Sequence, residues 1–440
     1  MTPQRALPWT DPEAVFAAVA ACHERVFWLD GGGARDWSGR YSYLGWLEPG
    51  ELSLTYDAAT RTVLEHDGHS DRVVGADIFA VLDERTHAAQ AGAGFSGWVG
   101  YFGYACRPDL PALLGSPEVP DAMWMRVGRY AVFDHQAHTV RLHGAEALPT
   151  PRPTPEPSPE PSPEPTSVPA AGATQAGYRE AFDRVQEHLR AGDSYETNLT
   201  YRVDVHSAAD PALVYLRLRR LNRAPYSAFL RHGGVSVLSS SPERFATVGA
   251  DRVLETRPIK GTTERSDDPE VDRQRRVLLC TDAKFRAENL MVVDLLRNDL
   301  STVCEVGTVE VPDLMHVESY PSVHQLVTTV RGRLRPDVSA VRAVEALFPG
   351  GSMTGAPKLR TMQIIREVES TARGVYAGAL GWVGDGGRVD LGIVIRTLVH
   401  HGATYTLGTG GGITVRSEPR SEFDESRWKA ERLLRALSGA

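Results

Sequence analysis

The sequence predicts an α+β protein with extensive antiparallel sheet, and three observations lead there. Apolar segments of roughly eight residues with strand-like character dominate the chain. Strands and helices do not alternate as parallel βαβ units require. The long helical patterns come late, at 282–300 and 419–437.

In chain order, DPEAVFAAVAACHERV reads as a helix, and GRYSYLGWL, ELSLTYD, FSGWVGYFGYA and MWMRVGRYAVFDH read as strands. Residues 149–169, PTPRPTPEPSPEPSPEPTSVP, lack every second or third amide hydrogen and form neither helix nor central strand. A solvated polyproline spacer is expected there, about 60 Å long if straight at ~3.1 Å per residue. YREAFDRVQEHLRAG then reads as an amphipathic helix stopped at Gly192, followed by strands TNLTYRVDV, SAFLRH and VSVLSSS. A strand-like run, Val253 to Thr256, enters Pro258-Ile259, carries Lys260 and turns at Gly261. DAKFRAENLMVVDLLRNDL and PRSEFDESRWKAERLLRAL read as helices, a helix opens at Pro357, and LGIVIRTLV reads as one strand.

Over 440 residues, 42% apolar and 24% charged, the composition is that of an ordinary globular protein. A net charge of −8 offers no broad basic surface, so nucleic acid is not an expected partner. No apolar run is long enough for a membrane span and no signal-peptide core opens the chain, so a cytoplasmic location is expected. The four widely spaced cysteines read as reduced thiols.

Ionisable groups stand where the apolar pattern predicts core. At 100° per residue, Glu288 falls within the stripe of Phe285, Val292, Leu295 and Leu296, where a carboxylate needs a cation, hydrogen bonds or a proton, or else an edge position that reaches water. Glu422, Glu425 and Lys429 share another helical face; alone they read as a surface ion pair, but beside Glu288 they would make the carboxylate environment that suits Mg²⁺. The glycines of FPGGSMTGAPK and LGTGGGITV serve either tight turns or the close approach of amides to an anion, and neither matches a phosphate-loop fingerprint. Arg396, a cation in an apolar strand, calls for a carboxylate from the protein or a ligand. Together these point to a small dianion held by Mg²⁺, an arginine and glycine amides.

The ordered stretches GDSYETNLTYR, PYSAFL, LSSSPERF, RPIKGT, AENLMVVDLLRNDL, FPGGSMTGAPK, IVIRTL, GTGGG and SEFDESRWKA resemble the chorismate-utilising family that includes component I of anthranilate synthase and of aminodeoxychorismate synthase. The resemblance is dense from about residue 177 onward and weaker in RYSYLGWLEPG and GWVGYFGY. It implies two large, mainly antiparallel β-sheets packed together with flanking helices. Residues 1–148 and 170–440 would then pack as one body, with 149–169 as an insertion.

It further implies that Glu288, Glu422 and Glu425 hold Mg²⁺, and that Lys429, Arg396, Ser352, Thr262, Gly410 and Gly411 bind chorismate. Lys260 stands where the aminodeoxychorismate synthases have lysine and the anthranilate synthases alanine. The implied activity is amination of chorismate at C4 through a covalent adduct of neutral Lys260, with Glu243 handling a proton and a separate glutaminase supplying ammonia, since the chain lacks the glutaminase Gly-x-Cys-x-Gly signature. Three positions depart from common family patterns. Gln325, preceded by His324, replaces a histidine that would protonate the leaving hydroxyl, and both stand as candidate catalytic residues; Trp382 stands where a substrate-binding tyrosine is expected; and Glu196 replaces the water-activating lysine of isochorismate and salicylate synthases, which argues against those activities. Anthranilate synthase component I is the alternative reading. A weakly catalytic chorismate- or tryptophan-binding regulatory subunit, suggested by Gln325 and Trp382, is another.

Overall fold

Several apolar runs that read as single strands bend from one sheet into another. The computed structural model describes residues 4–31, 38–87, 95–149, 166–169, 173–320 and 323–438. Among these, two sheets of 12 strands each are built from antiparallel pairs, eleven in continuous order and one branching off it, Gly355–Ala356 beside Glu196–His206 in the first and Glu310–Ser319 beside Val323–Arg333 in the second. In the first, the order is Gln4–Leu7, Thr139–His143, Arg129–Asp134, Tyr41–Trp46, Val26–Asp30, Tyr226–His232, Val235–Ser241, Thr397–His401, Thr404–Ile413, Glu196–His206 and Thr166–Pro169. In the second it is Ile259–Glu264, Val323–Arg333, Val253–Arg257, Arg244–Val248, Val389–Ile393, Ala379–Gly384, Gly97–Phe102, Ala122–Arg126, Ser53–Asp57, Thr62–His66 and Asp71–Gly75.

The corners between sheets account for the long apolar segments. MWMRVGRYAVFDH divides into Ala122–Arg126 of the second sheet and Arg129–Asp134 of the first. LGIVIRTLV, expected as one strand, likewise divides into Val389–Ile393 and Thr397–His401, with Arg396 in the corner at φ 51°. A strand that changes sheets keeps its apolar character through the bend, because both halves are buried.

The facing surfaces meet through Phe27, Leu230 and Val237 from one sheet and Val99, Tyr101 and Met123 from the other. Helices Pro12–Cys22, Pro211–Leu221 and Pro419–Ser438 cover the far side of the first sheet, and Ile78–His87, Ala283–Ser301 and Ala340–Leu347 cover that of the second. This gives the layered packing that lets each sheet bury both faces. Among the described residues no helix is long and apolar enough to cross a membrane.

Most of the proline-rich stretch, 150–165, for which a polyproline spacer is expected, lies outside the described residues. Its end, Thr166–Pro169, forms an edge strand on Glu196–His206, a place where proline's missing donor is tolerated.

Candidate active site

A cleft of about 550 Å³ opens where the two sheets and the helices Ala283–Ser301 and Pro419–Ser438 converge. The first sheet supplies the glycine strand. Thr404–Ile413 pairs with Thr397–His401 only as far as Leu407, so from Gly408 to Ile413 that edge has no strand partner among the described residues and borders the cleft. On its other edge Gly410 and Gly411 lie opposite Thr200 and Leu199. A Cβ at Gly411 would stand 3.5 Å from Glu422 Oε2 and 3.6 Å from Lys429 Nζ, so bare backbone faces these charges.

The second sheet supplies Lys260. Its edge strand Ile259–Glu264 pairs Thr262 with Gln325, and both line the cleft. The adjacent pair, Thr263 and His324, takes the opposite face because strand side chains alternate. His324 therefore lies outside the cleft, buried and bonded to Ser319 Oγ at 2.8 Å and Asp272 Oδ1 at 3.0 Å, which corrects its placement among the catalytic residues. Lys260 Nζ donates a short bond to Glu196 Oε1 on the first sheet.

Burial pulls the Lys260 ammonium down, but Glu196, Glu288 and Glu243 outweigh it and the net direction is up. The surrounding carboxylates thus favour the protonated amine, which departs from the expectation of a neutral Lys260.

Helix Ala283–Ser301 begins at Asp282, whose carboxylate accepts from the amides of Lys284 (2.8 Å) and Phe285 (3.1 Å). This places Glu288 in the cleft wall with its Oε1 buried and without a hydrogen-bond partner. Burial pushes its carboxyl up to about 7, with Lys260 opposing and Glu196 adding to the rise. Glu243, buried and accepting from Ser352 Oγ at 2.8 Å, is likewise raised by burial to about 7.

From the last helix come Glu422, Glu425 and Lys429. Lys429 donates to Gly410 O at 3.1 Å and Glu425 at 2.8 Å. Glu425 is 51% exposed at the cleft mouth; burial opposes, but Lys429 prevails and holds its carboxyl below the usual value. Lys284 reaches Glu422 at 3.2 Å and stands 3.9 Å from Glu288. With these lysines interposed, no three acidic, histidine or cysteine side chains among the described residues lie close enough to hold one ion, so the expected three-carboxylate cluster is not closed.

Arg396 occupies the sheet-to-sheet corner in a left-handed conformation that costs a side-chain-bearing residue about 1–3 kcal/mol. Bonds from Ser240 N and Oγ, both 3.0 Å, hold its carbonyl. Its guanidinium lines the cleft 5.6 Å from the Trp428 ring, lowered by burial and by Arg432 to about 10.

Twelve of the expected residues thus line one cleft: Lys260, Glu243, Gln325, Thr262, Ser352, Arg396, Gly410, Gly411, Lys429, Glu288, Glu422 and Glu425. Trp382 does not join them. It sits on Ala379–Gly384 beside Phe95 and Arg388 and faces a separate cavity. The tyrosine that lines the cleft among the described residues is Tyr376, six residues earlier, whose ring lies against the Arg202 guanidinium. The tyrosine of VYAGALGWVG was the signal for it. Lys284, four residues before Glu288, was also missed.

Residues 25–435 match the family model described as chorismate binding enzyme. Over 463 aligned residues the chain is 40% identical to an aminodeoxychorismate synthase of Streptomyces pristinaespiralis, covering 98% of this chain and 64%, under two thirds, of that protein. It is 40% identical over 354 residues to aminodeoxychorismate synthase component 1 of Escherichia coli (strain K12), covering 78% of this chain and 77% of that one. The fold matches the crystal structure of anthranilate synthase component I from Streptococcus pneumoniae TIGR4 with a TM-score of 0.78 at 26% identity, covering 90% and 92% of the two chains.

Proposed function

The chain belongs to the chorismate-binding enzyme family, and from that premise we propose that it aminates chorismate at C4, as component I of an aminodeoxychorismate synthase. One observation carries the reading: a largely buried lysine, Lys260, its side chain 11% exposed, lines the cleft, with Glu196, Glu243 and Glu288 around its amine. Arg396 and the free edge at Gly410 and Gly411 suit the enolpyruvyl carboxylate, and Lys429 the ring carboxylate.

The buried oxygen of Glu288 that accepts no hydrogen bond, with Glu425 and Glu422 on the facing helix, fits Mg²⁺, which takes one or two carboxylates and keeps its other positions for water and substrate oxygens. When bound, Mg²⁺ would draw electron density from the diene through the ring carboxylate.

The lone pair of deprotonated Lys260 forms the Nζ–C2 bond, the two ring double bonds shift, and the C4–O bond breaks. Glu243, partly protonated near neutrality, supplies the proton with which the hydroxyl leaves as water. Ammonia then forms the C4–N bond, the double bonds return and the C2–Nζ bond breaks. Glu243 regains its proton from the new ammonium group. Two successive displacements put nitrogen at C4, giving 4-amino-4-deoxychorismate. A glutamine amidotransferase subunit would supply the ammonia, and the product would feed 4-aminobenzoate for folate or a specialised metabolite.

The protein should convert chorismate, Mg²⁺ and ammonium to a product that yields 4-aminobenzoate only after a lyase is added. Lys260→Ala should lower the rate at least ~10³-fold. Direct anthranilate fluorescence from the wild type, or an unchanged Lys260→Ala enzyme, would overturn the proposal.

A further inference from the structure

We propose that Glu196 is the group that takes the proton from Lys260 before attack and returns it when the lysine is released. The inference rests on the covalent-lysine reading above and assigns a role that Glu243 does not fill. Glu196 Oε1 makes the direct hydrogen bond to Lys260 Nζ, whereas Glu243 is bonded to Ser352. Glu196 Oε2 is buried with no hydrogen-bond partner, so the carboxylate has an unused position where a proton can reside. The pair joins the two sheets: Glu196 begins the strand Glu196–His206, and Lys260, which lines the cleft, lies on the edge strand Ile259–Glu264.

The glycine strand leaves room for this pair. A Cβ at Gly412 would lie 2.2 Å from Glu196 Oε1 and 3.2 Å from Lys260 Nζ, so a side chain there would force them apart. Other charges facing the lysine are Glu243 and Glu288, while Lys284 and Lys429 face those carboxylates in turn.

The step balances. An Nζ–H bond breaks and a Glu196 O–H bond forms; the freed lone pair makes the bond to C2. After ammonia expels the lysine, Glu196 gives the same proton back and the resting ion pair is restored. Glu243 runs the separate cycle at C4.

The test uses the full chain with chorismate and Mg²⁺ but no ammonia, following by intact mass an adduct at the mass of chorismate less one water. Glu196→Gln should form it at least ~10²-fold more slowly at pH 7. Its rate should climb between pH 7 and 9 as the lysine loses its proton to solvent instead. Glu196→Asp should recover part of the rate, and the chorismate dissociation constant should stay close to that of the wild type. Glu196→Gln forming adduct at the wild-type rate with the wild-type pH profile would overturn the proposal. Should that variant not fold, Glu196→Asp decides: a full wild-type rate from the shorter carboxylate counts against it, and a slowed one supports it. A wild type that forms neither adduct nor product would overturn the lysine mechanism itself.

Discussion

Two buried clusters of glutamate and basic side chains lie within one strand of each other, and they differ in how many hydrogen bonds each carboxylate receives. In the first, Glu369 accepts from Thr200 N and Oγ1, both at 2.8 Å, and from Arg373 Nε at 3.0 Å and Nη2 at 2.7 Å. Arg373 gives two further donors to Met353 O at 2.5 Å and Asn198 O at 2.7 Å. In the second, at the cleft floor, Glu243 has its bond from Ser352, while Glu196 and Glu288 each keep a buried oxygen with none. Burial is similar, at 7% exposure for Glu369 and 6% for Glu243. Satisfied charges hold a structure together; under-satisfied ones hold protons and ligands. The first cluster ties the Glu196–His206 strand to the turn carrying Ser352, and so fixes the frame that holds the second.

The largest expected effect breaks the satisfied cluster. Arg373→Met removes the cation that hydrogen-bonds Glu369, leaving only Arg202 at 3.9 Å, and should lower unfolding free energy by about 3–5 kcal/mol, read from urea denaturation. Unchanged stability would mean that the two clusters do not differ as described. The reactive cluster should respond in the opposite direction. The folded Glu288 carboxyl sits at about 7, above its ordinary 4.5. Its contribution to stability is therefore fully present below pH 4.5 and lost as pH rises through 7. Glu288→Gln should accordingly stabilise the metal-free protein at pH 8 by about 2–3 kcal/mol, with the gain growing from pH 4.5 to 7, level above it and absent in acid. Weaker Mg²⁺ binding by calorimetry should accompany it. A Gln variant no more stable at pH 8 than the wild type would remove the contrast.

What was legible in the sequence follows the same division. Glu288 could be read because a carboxylate in an apolar stripe violates a strong local pattern, and Arg396 stood out for the same reason, whereas Glu422 and Glu425 alone read as a surface ion pair and gained meaning only beside Glu288. The two-sheet architecture came through the resemblance. The corners did not come at all, since a run such as LGIVIRTLV looks the same whether it continues straight or changes sheet. Helix Pro269–Thr281 was also unread. It buries only Leu279 and leaves Val271, Val277 and Leu278 exposed, so its apolar residues form no clear stripe. Pairings distant in sequence were invisible: Glu196 meets Lys260 across 64 residues and two sheets, and entered the reading only as a departure from related enzymes. His324 and Gln325 were both retained as candidates because only the register with Thr263 and Thr262 decides which one faces the cleft.

The smallest expected effect tests that kind of positional error at Trp382. Its ring packs edge-on against Phe95 at 5.3 Å, and Arg388 lies 5.6 Å from its centroid, both outside the cleft. Trp382→Phe keeps an aromatic there and removes nothing that faces chorismate, so KM for chorismate should change less than about twofold. Tyr376→Phe removes the hydroxyl of a residue that lines the cleft. A lost hydrogen bond to a charged carboxylate is worth about 1.5–3 kcal/mol, so its KM should rise roughly tenfold or more with the fold undisturbed. Steady-state kinetics on the two variants at one Mg²⁺ concentration separates them. A larger effect from Trp382 than from Tyr376 would place the aromatic contact with substrate on the wrong side of the sheet.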